Sequence, residues 1–178
     1  MRTFLIPGIS NSGPEHWQTQ WENLHGFIRI QQENWENPRY SVWEESLVRQ
    51  IEKTEGSENS ILIGHSLGCL LIAKSLDRIS DRIRGVFLVA PPDPKSPVFP
   101  KGLEEFAEFP QKSLGTKGLL LFSENDPYAS VPFSEKLGRL WNLETICVGE
   151  LGHINSQSDL GSWENGFQIF SDWIQSLT

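Results

Sequence analysis

Short unbroken apolar runs alternate with amphipathic stretches along the whole chain. Phe4-Leu5-Ile6 is the first run and stops at Pro7-Gly8. Phe27-Ile28-Arg29-Ile30, Ile61-Leu62-Ile63, Val86-Phe87-Leu88-Val89, Leu119-Leu120-Leu121-Phe122 and Thr145-Ile146-Cys147-Val148 follow, which predicts six strands. The stretches between them carry helical spacing. Residues 14–24 read as a helix, because Pro14 suits a first turn and Trp17, Trp21 and Leu24 fall at i, i+4 and i+7. Trp43, Leu47 and Ile51 mark a second helix over 41–53. Residues 67–79 are apolar almost all round, so that helix is expected to be buried on more than one side. Phe133, Leu137 and Leu140 mark a helix between the last two strands, and Trp163, Phe167, Phe170, Ile174 and Leu177 one over 163–177.

Strands that alternate with helices imply crossover connections and a parallel sheet. Strands that read as continuous apolar runs fit a sheet covered on both faces. The predicted class is α/β, with about six mainly parallel strands and helices on both faces. One connection is unusually long. It runs over residues 91–118, its first ten residues hold five prolines, at 91, 92, 94, 97 and 100, and a short helix is expected near 103–109. A connection of this length in a compact fold tends to line or cover a binding site.

Composition narrows the function classes. At ~150 residues per domain, 178 residues make about one domain, and a chain of this size buries roughly 70% of its unfolded surface. Two cysteines, Cys69 and Cys147, are too few for a disulfide scaffold or a zinc ribbon. The charge of −8, from 15 basic and 23 acidic residues, is opposite to that of a nucleic-acid binder. No apolar run approaches ~18 residues, so no membrane span is expected. The apolar stretch at the start is too short for a signal peptide. A cytoplasmic protein with reduced thiols is the expectation.

The chemistry enters at Ile63-Gly64-His65-Ser66-Leu67-Gly68. Gly-x-Ser-x-Gly between an apolar strand and a buried helix reads as a nucleophile elbow. The turn is too tight for large side chains at Gly64 and Gly68, and it lifts Ser66 above the end of the sheet. The helix N-terminus and the Leu67 N–H then face charge developing on a substrate carbonyl oxygen. A second amide donor is expected from the loop after the first strand, Pro7-Gly8-Ile9-Ser10-Asn11-Ser12-Gly13. Ile9 N–H is the candidate, because Gly8 permits close approach, and the Ser10 and Ser12 hydroxyls are candidates to assist.

A serine hydroxyl needs a base, and the base needs an orienting acid. In this architecture the chain order is Ser, acid, His. His153, in Gly152-His153-Ile154-Asn155, is the only histidine downstream of Ser66. Asp126, in Asn125-Asp126-Pro127-Tyr128, follows the fifth strand. Asp93 and Glu124 compete for the acid's role. Asp126 is preferred over Asp93 because a sheet with the third strand central puts the His153 loop nearer the fifth strand than the fourth. Glu124 lies closer to the strand and is expected to be spent in the strand end or on the solvent side. His16 and His65 are candidates for the pocket rim, with packing the simpler role for His65 and for Trp17. Cys69 reads as a space-filling residue. Dinucleotide, phosphate-loop and zinc-protease motifs are missing from the sequence, so neither a cofactor nor a metal is expected.

These residues, taken together, resemble the small α/β-hydrolase family of the retinoblastoma-binding serine hydrolase and the YdeN-like bacterial proteins. The resemblance runs over nearly the whole chain. It is carried by Pro7-Gly8 with Asn11-Ser12, His16-Trp17-Gln18, Trp21, Gly64-His65-Ser66-Leu67-Gly68-Cys69, Asn125-Asp126-Pro127-Tyr128, Gly152-His153-Ile154-Asn155 and Leu160-Gly161-Ser162-Trp163. It implies a minimal α/β-hydrolase without a cap domain, with Ser66, Asp126 and His153 as its triad. The Leu-x-Cys-x-Glu motif by which the namesake binds its partner is missing, since neither Cys69 nor Cys147 has Glu two residues on. The expected activity is hydrolysis of an ester or related acyl bond of a small substrate. The alternative is an idle α/β-hydrolase fold that serves as a protein-interaction module.

Overall fold

The computed structural model describes residues 1–177. Six strands, β1 (Thr3–Ile6), β2 (Ile28–Arg29), β3 (Ser60–His65), β4 (Ile83–Val89), β5 (Lys117–Phe122) and β6 (Glu144–Cys147), form one sheet in the order β2-β1-β3-β4-β5-β6. Every pairing is parallel. The six helices are α1 (Trp17–His25), α2 (Tyr40–Lys53), α3 (Leu67–Ile79), α4 (Glu104–Ala107), α5 (Val131–Trp141) and α6 (Glu164–Ser176).

Side chains alternate across a strand, and here each face feeds a separate core. Phe4, Ile6, Leu62, Val86, Leu88, Leu120 and Phe122 face α2, α3 and α5. Leu5, Ile61, Ile63, Phe87, Val89, Leu119 and Leu121 face α1 and α6. The second core is ring-rich, with Trp17, Trp21, Trp163, Phe170 and Trp173 buried in it. Helix α3 contributes ten buried residues, as its all-round apolar sequence predicts.

Local boundaries differ from the sequence reading in instructive ways. Helix α1 starts at Trp17, not Pro14, because residues 13–16 form a turn and His16 caps the helix by accepting the Gln18 N–H at 3.1 Å. Strand β4 begins at Ile83, ahead of the apolar run; Arg84 is skipped in the ladder with β3, which pairs Ser60 with Ile83 and then Ile61 with Gly85. Gly85 leaves room for Trp173, whose ring lies 3.0 Å from where its Cβ would stand. Strand β2 pairs only through Ile28 and Arg29, since Ile30 hydrogen-bonds Leu5 as the chain leaves the sheet. Strand β6 is displaced by one residue, to 144–147.

The connections after β1, β3, β5 and β6 all emerge at the carboxyl end of the sheet, where parallel α/β folds bind ligands. Among the described residues no separate domain covers this end. Among the described residues no helix is long and apolar enough to cross a membrane.

Candidate active site

Ser66 sits between β3 and α3 with φ 53° and ψ −124°, a conformation that costs a non-glycine residue roughly 1–3 kcal/mol. The surroundings enforce it. Ser66 N–H donates to the Val89 carbonyl at 3.0 Å, and the Cys69 N–H donates to the Ser66 carbonyl at 2.9 Å. A Cβ on Gly64 would lie 2.8 Å from Ile72 Cδ1 and 3.1 Å from the Cys69 backbone, and one on Gly68 would collide with the Ile6 carbonyl oxygen. Gly8 closes the other side, where a Cβ would fall 2.9 Å from Ser66 Cβ and 3.2 Å from Leu67 N. The loop after β1 therefore lies directly against the elbow. Ile9 and Leu67 border the same cavity beside Ser66.

His153 reaches Ser66 from the loop after β6, with Nε2 2.8 Å from Ser66 Oγ. Its Nδ1 stands 3.0 and 2.9 Å from the two carboxylate oxygens of Asp126. Both side chains are buried, His153 at 8% exposed and Asp126 at 2%. Asp126 Oδ1 also accepts the Tyr128 N–H at 2.9 Å, which leaves the carboxylate as acceptor and Nδ1 as donor. On the neutral ring Nε2 is then the acceptor for the serine hydroxyl. The Tyr128 ring packs on the imidazole at 4.4 Å between centroids. Asp93 turns elsewhere and accepts the Lys95 N–H at 2.8 Å, while Glu124 is exposed.

A set of hydrogen bonds fixes the His153 loop. Asn125 Oδ1 accepts the Gly152 N–H at 2.6 Å, and Ser123 Oγ accepts the Leu151 N–H at 2.9 Å. The Trp17 indole N–H donates to the Ile154 carbonyl at 2.8 Å. His65 Nε2 donates to the His153 carbonyl at 2.9 Å. His65 and Trp17 thus do more than fill space. Asn125 and Ser123 carry no sequence signal apart from standing beside the acid.

The cavity over Ser66 measures about 290 Å³. Pro92, Phe99, Pro100 and Leu103 of the long connection form one wall, and Asn155, Ser156 and Gln157 another. Ser10, His16 and His65 line it as expected, but Ser12 does not. The Ser12 hydroxyl is buried and donates to Gln18 Oε1 at 2.7 Å, so it is unavailable to assist at the cavity. The Ser10 hydroxyl donates to Glu36 at 3.0 Å. Burial, the nearby Arg29 charge and His153 hold His16 neutral, with its pKa lowered to about 3. Burial, followed by His16 and His153, likewise pushes His65 well below the ordinary histidine range. Burial pushes the Cys69 thiol up, in keeping with an unreactive residue. Among the described residues no group of three or more His, Cys, Asp or Glu side chains could hold a metal ion.

An elbow serine at the carboxyl end of a parallel sheet, backed by a histidine and a buried carboxylate, defines a class of hydrolases. A serine hydrolase family model matches residues 3–172, and the chain belongs to that family. It is similar to a protein assigned as a YdeN-like hydrolase from Pectobacterium atrosepticum, at 30% identity and TM-score 0.87, over 99% of this chain and 91% of that one. The ydeN gene product of B. subtilis superposes at TM-score 0.78 with 20% identity over 98% of each chain. A thermophilic esterase from Thermogutta terrifontis shares the fold, at TM-score 0.73 and 16% identity over 99% of this chain and 90% of that one. No curated protein matches the sequence. Family and fold make the chain a small YdeN-like α/β-hydrolase.

Proposed function

We propose that the protein cleaves an ester or related acyl bond of a small, uncharged substrate through Ser66, His153 and Asp126. The observation that carries this reading is the unbroken hydrogen-bonded series from Ser66 Oγ through both His153 nitrogens to Asp126. Ser66 Oγ attacks the acyl carbonyl as His153 Nε2 takes its proton. Asp126 holds Nδ1–H and stabilises the imidazolium that forms. The Ile9 and Leu67 amides receive the oxyanion. His153 returns the proton to the departing group, leaving the acyl chain on Ser66. A water molecule, deprotonated by the same imidazole, then releases the acid.

The cavity supports the choice of substrate. Its volume lies at the bottom of the usual ligand range of roughly 300–1,000 Å³, which favours short acyl groups. None of its lining residues is Asp, Glu, Lys or Arg, and His16 and His65 are held neutral. A charged substrate would lose its hydration there without meeting a countercharge.

A fluorophosphonate probe tests the reading. It should label the native protein covalently and leave Ser66→Ala unlabelled. Equal labelling of both proteins would remove Ser66 as the nucleophile and leave the interaction-module alternative in its place.

A further inference from the structure

Arg29 is a buried cation that the steps above leave unused. It stands on the edge strand β2, paired with Leu5 of β1, and its side chain is only 6% exposed. A guanidinium has five N–H donors, and here four hydrogen bonds and an ion pair engage it. Nε donates to Glu22 Oε2 at 2.8 Å. Nη1 donates to Asn11 Oδ1 at 2.7 Å and to the Ser12 carbonyl at 2.8 Å. Nη2 donates to Thr19 Oγ1 at 2.6 Å and lies 2.7 Å from Glu22 Oε2. Two of these acceptors, Asn11 and Ser12, belong to the loop that follows β1. The others, Thr19 and Glu22, sit on α1. Thr19 Oγ1 itself donates to the Ser12 carbonyl at 2.8 Å, so loop and helix are clamped from both sides.

The loop needs such a clamp. Ser10 and Asn11 are consecutive non-glycine residues with φ of 62° and 61°. Each is a strained conformation that persists only where its surroundings over-determine it. Asn11 Oδ1 accepts the Ser12 N–H at 2.7 Å while it accepts from Arg29, so one carboxamide oxygen joins the guanidinium to the turn. The same loop presses Gly8 onto Ser66 and Leu67 and carries the Ile9 amide. The Ser10 N–H also donates to the Trp35 carbonyl at 3.0 Å, so Arg29 supports the Asn11–Ser12 side of the paired left-handed turn that precedes α1.

We propose that Arg29 is a positioning residue for acyl transfer, holding loop 8–12 in the turn that aims the Ile9 amide at the oxyanion. This rests on the reading of Ser66 as nucleophile and of Ile9 as an oxyanion donor. Lysine cannot substitute, because an ammonium does not present five donors in one plane. The Arg29 charge is felt at the cavity wall as well, where it helps to keep His16 neutral.

The test measures the second-order rate of fluorophosphonate labelling and of p-nitrophenyl acetate hydrolysis for wild type, Arg29→Met, Arg29→Lys and Asn11→Ala. Ser66→Ala is the control, and melting temperatures are recorded for each protein. Misdirecting one oxyanion donor is expected to slow labelling and kcat by about 10- to 100-fold, with KM changed by less than about threefold. Arg29→Lys should recover only part of the loss. Asn11→Ala keeps the Arg29–Glu22 pair, so it should show the same loss even if Arg29→Met fails to fold. Wild-type labelling rates in a folded Arg29→Met, in Asn11→Ala, or in Arg29→Lys would overturn the proposal. Ser66-independent labelling would instead overturn the nucleophile reading beneath it.

Discussion

The two halves of the site are built by different means. Ser66 is held by shape, with three glycines, a left-handed φ and backbone atoms packed so closely that no Cβ fits at Gly68. His153 is held by hydrogen bonds that its loop donates to Asn125 and Ser123 and accepts from Trp17 and His65, and by Asp126 on its ring. Packing at the elbow fixes the backbone of Ser66. A hydrogen-bonded loop can lose single ties and still keep its path. The nucleophile side should therefore respond to added volume and the base side to changed donors and acceptors.

The largest expected effect separates chemistry from shape on the base side. Asp126→Asn keeps an acceptor for Tyr128 N–H but takes away the carboxylate that fixes Nδ1–H. Up to ~10⁴-fold should be lost from kcat, with little change in melting temperature. Asp93→Asn, in the neighbouring connection, should cost far less, and a reversed ranking of the two would reassign the acid.

Next comes the elbow. Gly68→Ala places a methyl against the Ile6 carbonyl oxygen, which belongs to the backbone and cannot rotate away. Denaturant unfolding should show a loss of at least about 3 kcal/mol, at the upper end for overpacking. A loss below ~1 kcal/mol would mean that the elbow yields, and the contrast between the two halves would fail.

Acid gives the smallest effect and should act on the base side first. His16 accepts the N–H that starts α1, the helix that carries Trp17 to the Ile154 carbonyl, and it does so only when neutral. Its folded pKa lies near 3, below the unfolded 6.5, so the unfolded chain binds the extra proton. The resulting stability is complete above 6.5 and is lost as the pH falls towards about 3. His16 alone should make the protein about 2 kcal/mol less stable at pH 5 than at pH 7. His16→Asn, which caps without titrating, should remove that part of the slope. An unchanged slope would show that His16 is already paired or charged.

Much of the fold was readable because its signals are local. Each central strand is an unbroken apolar run, so β3, β4 and β5 stand out, whereas β2 shrinks to two paired residues at the sheet edge. The elbow is a contiguous motif, and chain order nominates His153 and Asp126 without any knowledge of distance. Sequence could not place the supports. Arg29 interrupts an apolar run on an edge strand, and its partners Glu22, Thr19 and Asn11 lie 7 to 18 positions away. Ser12 looked available because nothing near it signals that Gln18 takes its hydroxyl. Trp17 and His65 read as filler because their acceptors lie 137 and 88 residues downstream.

The wall of the cavity that faces Ser66 has another consequence. Pro92, Phe99, Pro100 and Leu103 come from a single connection, between β4 and β5. The residues proposed to do chemistry come from the four connections after β1, β3, β5 and β6. Part of the fit is thus inherited on a stretch of chain apart from those residues, so it can drift by point changes or by exchange of one segment. Such a layout lets that one wall be rewritten over about a dozen consecutive residues without touching Ser66, Asp126 or His153.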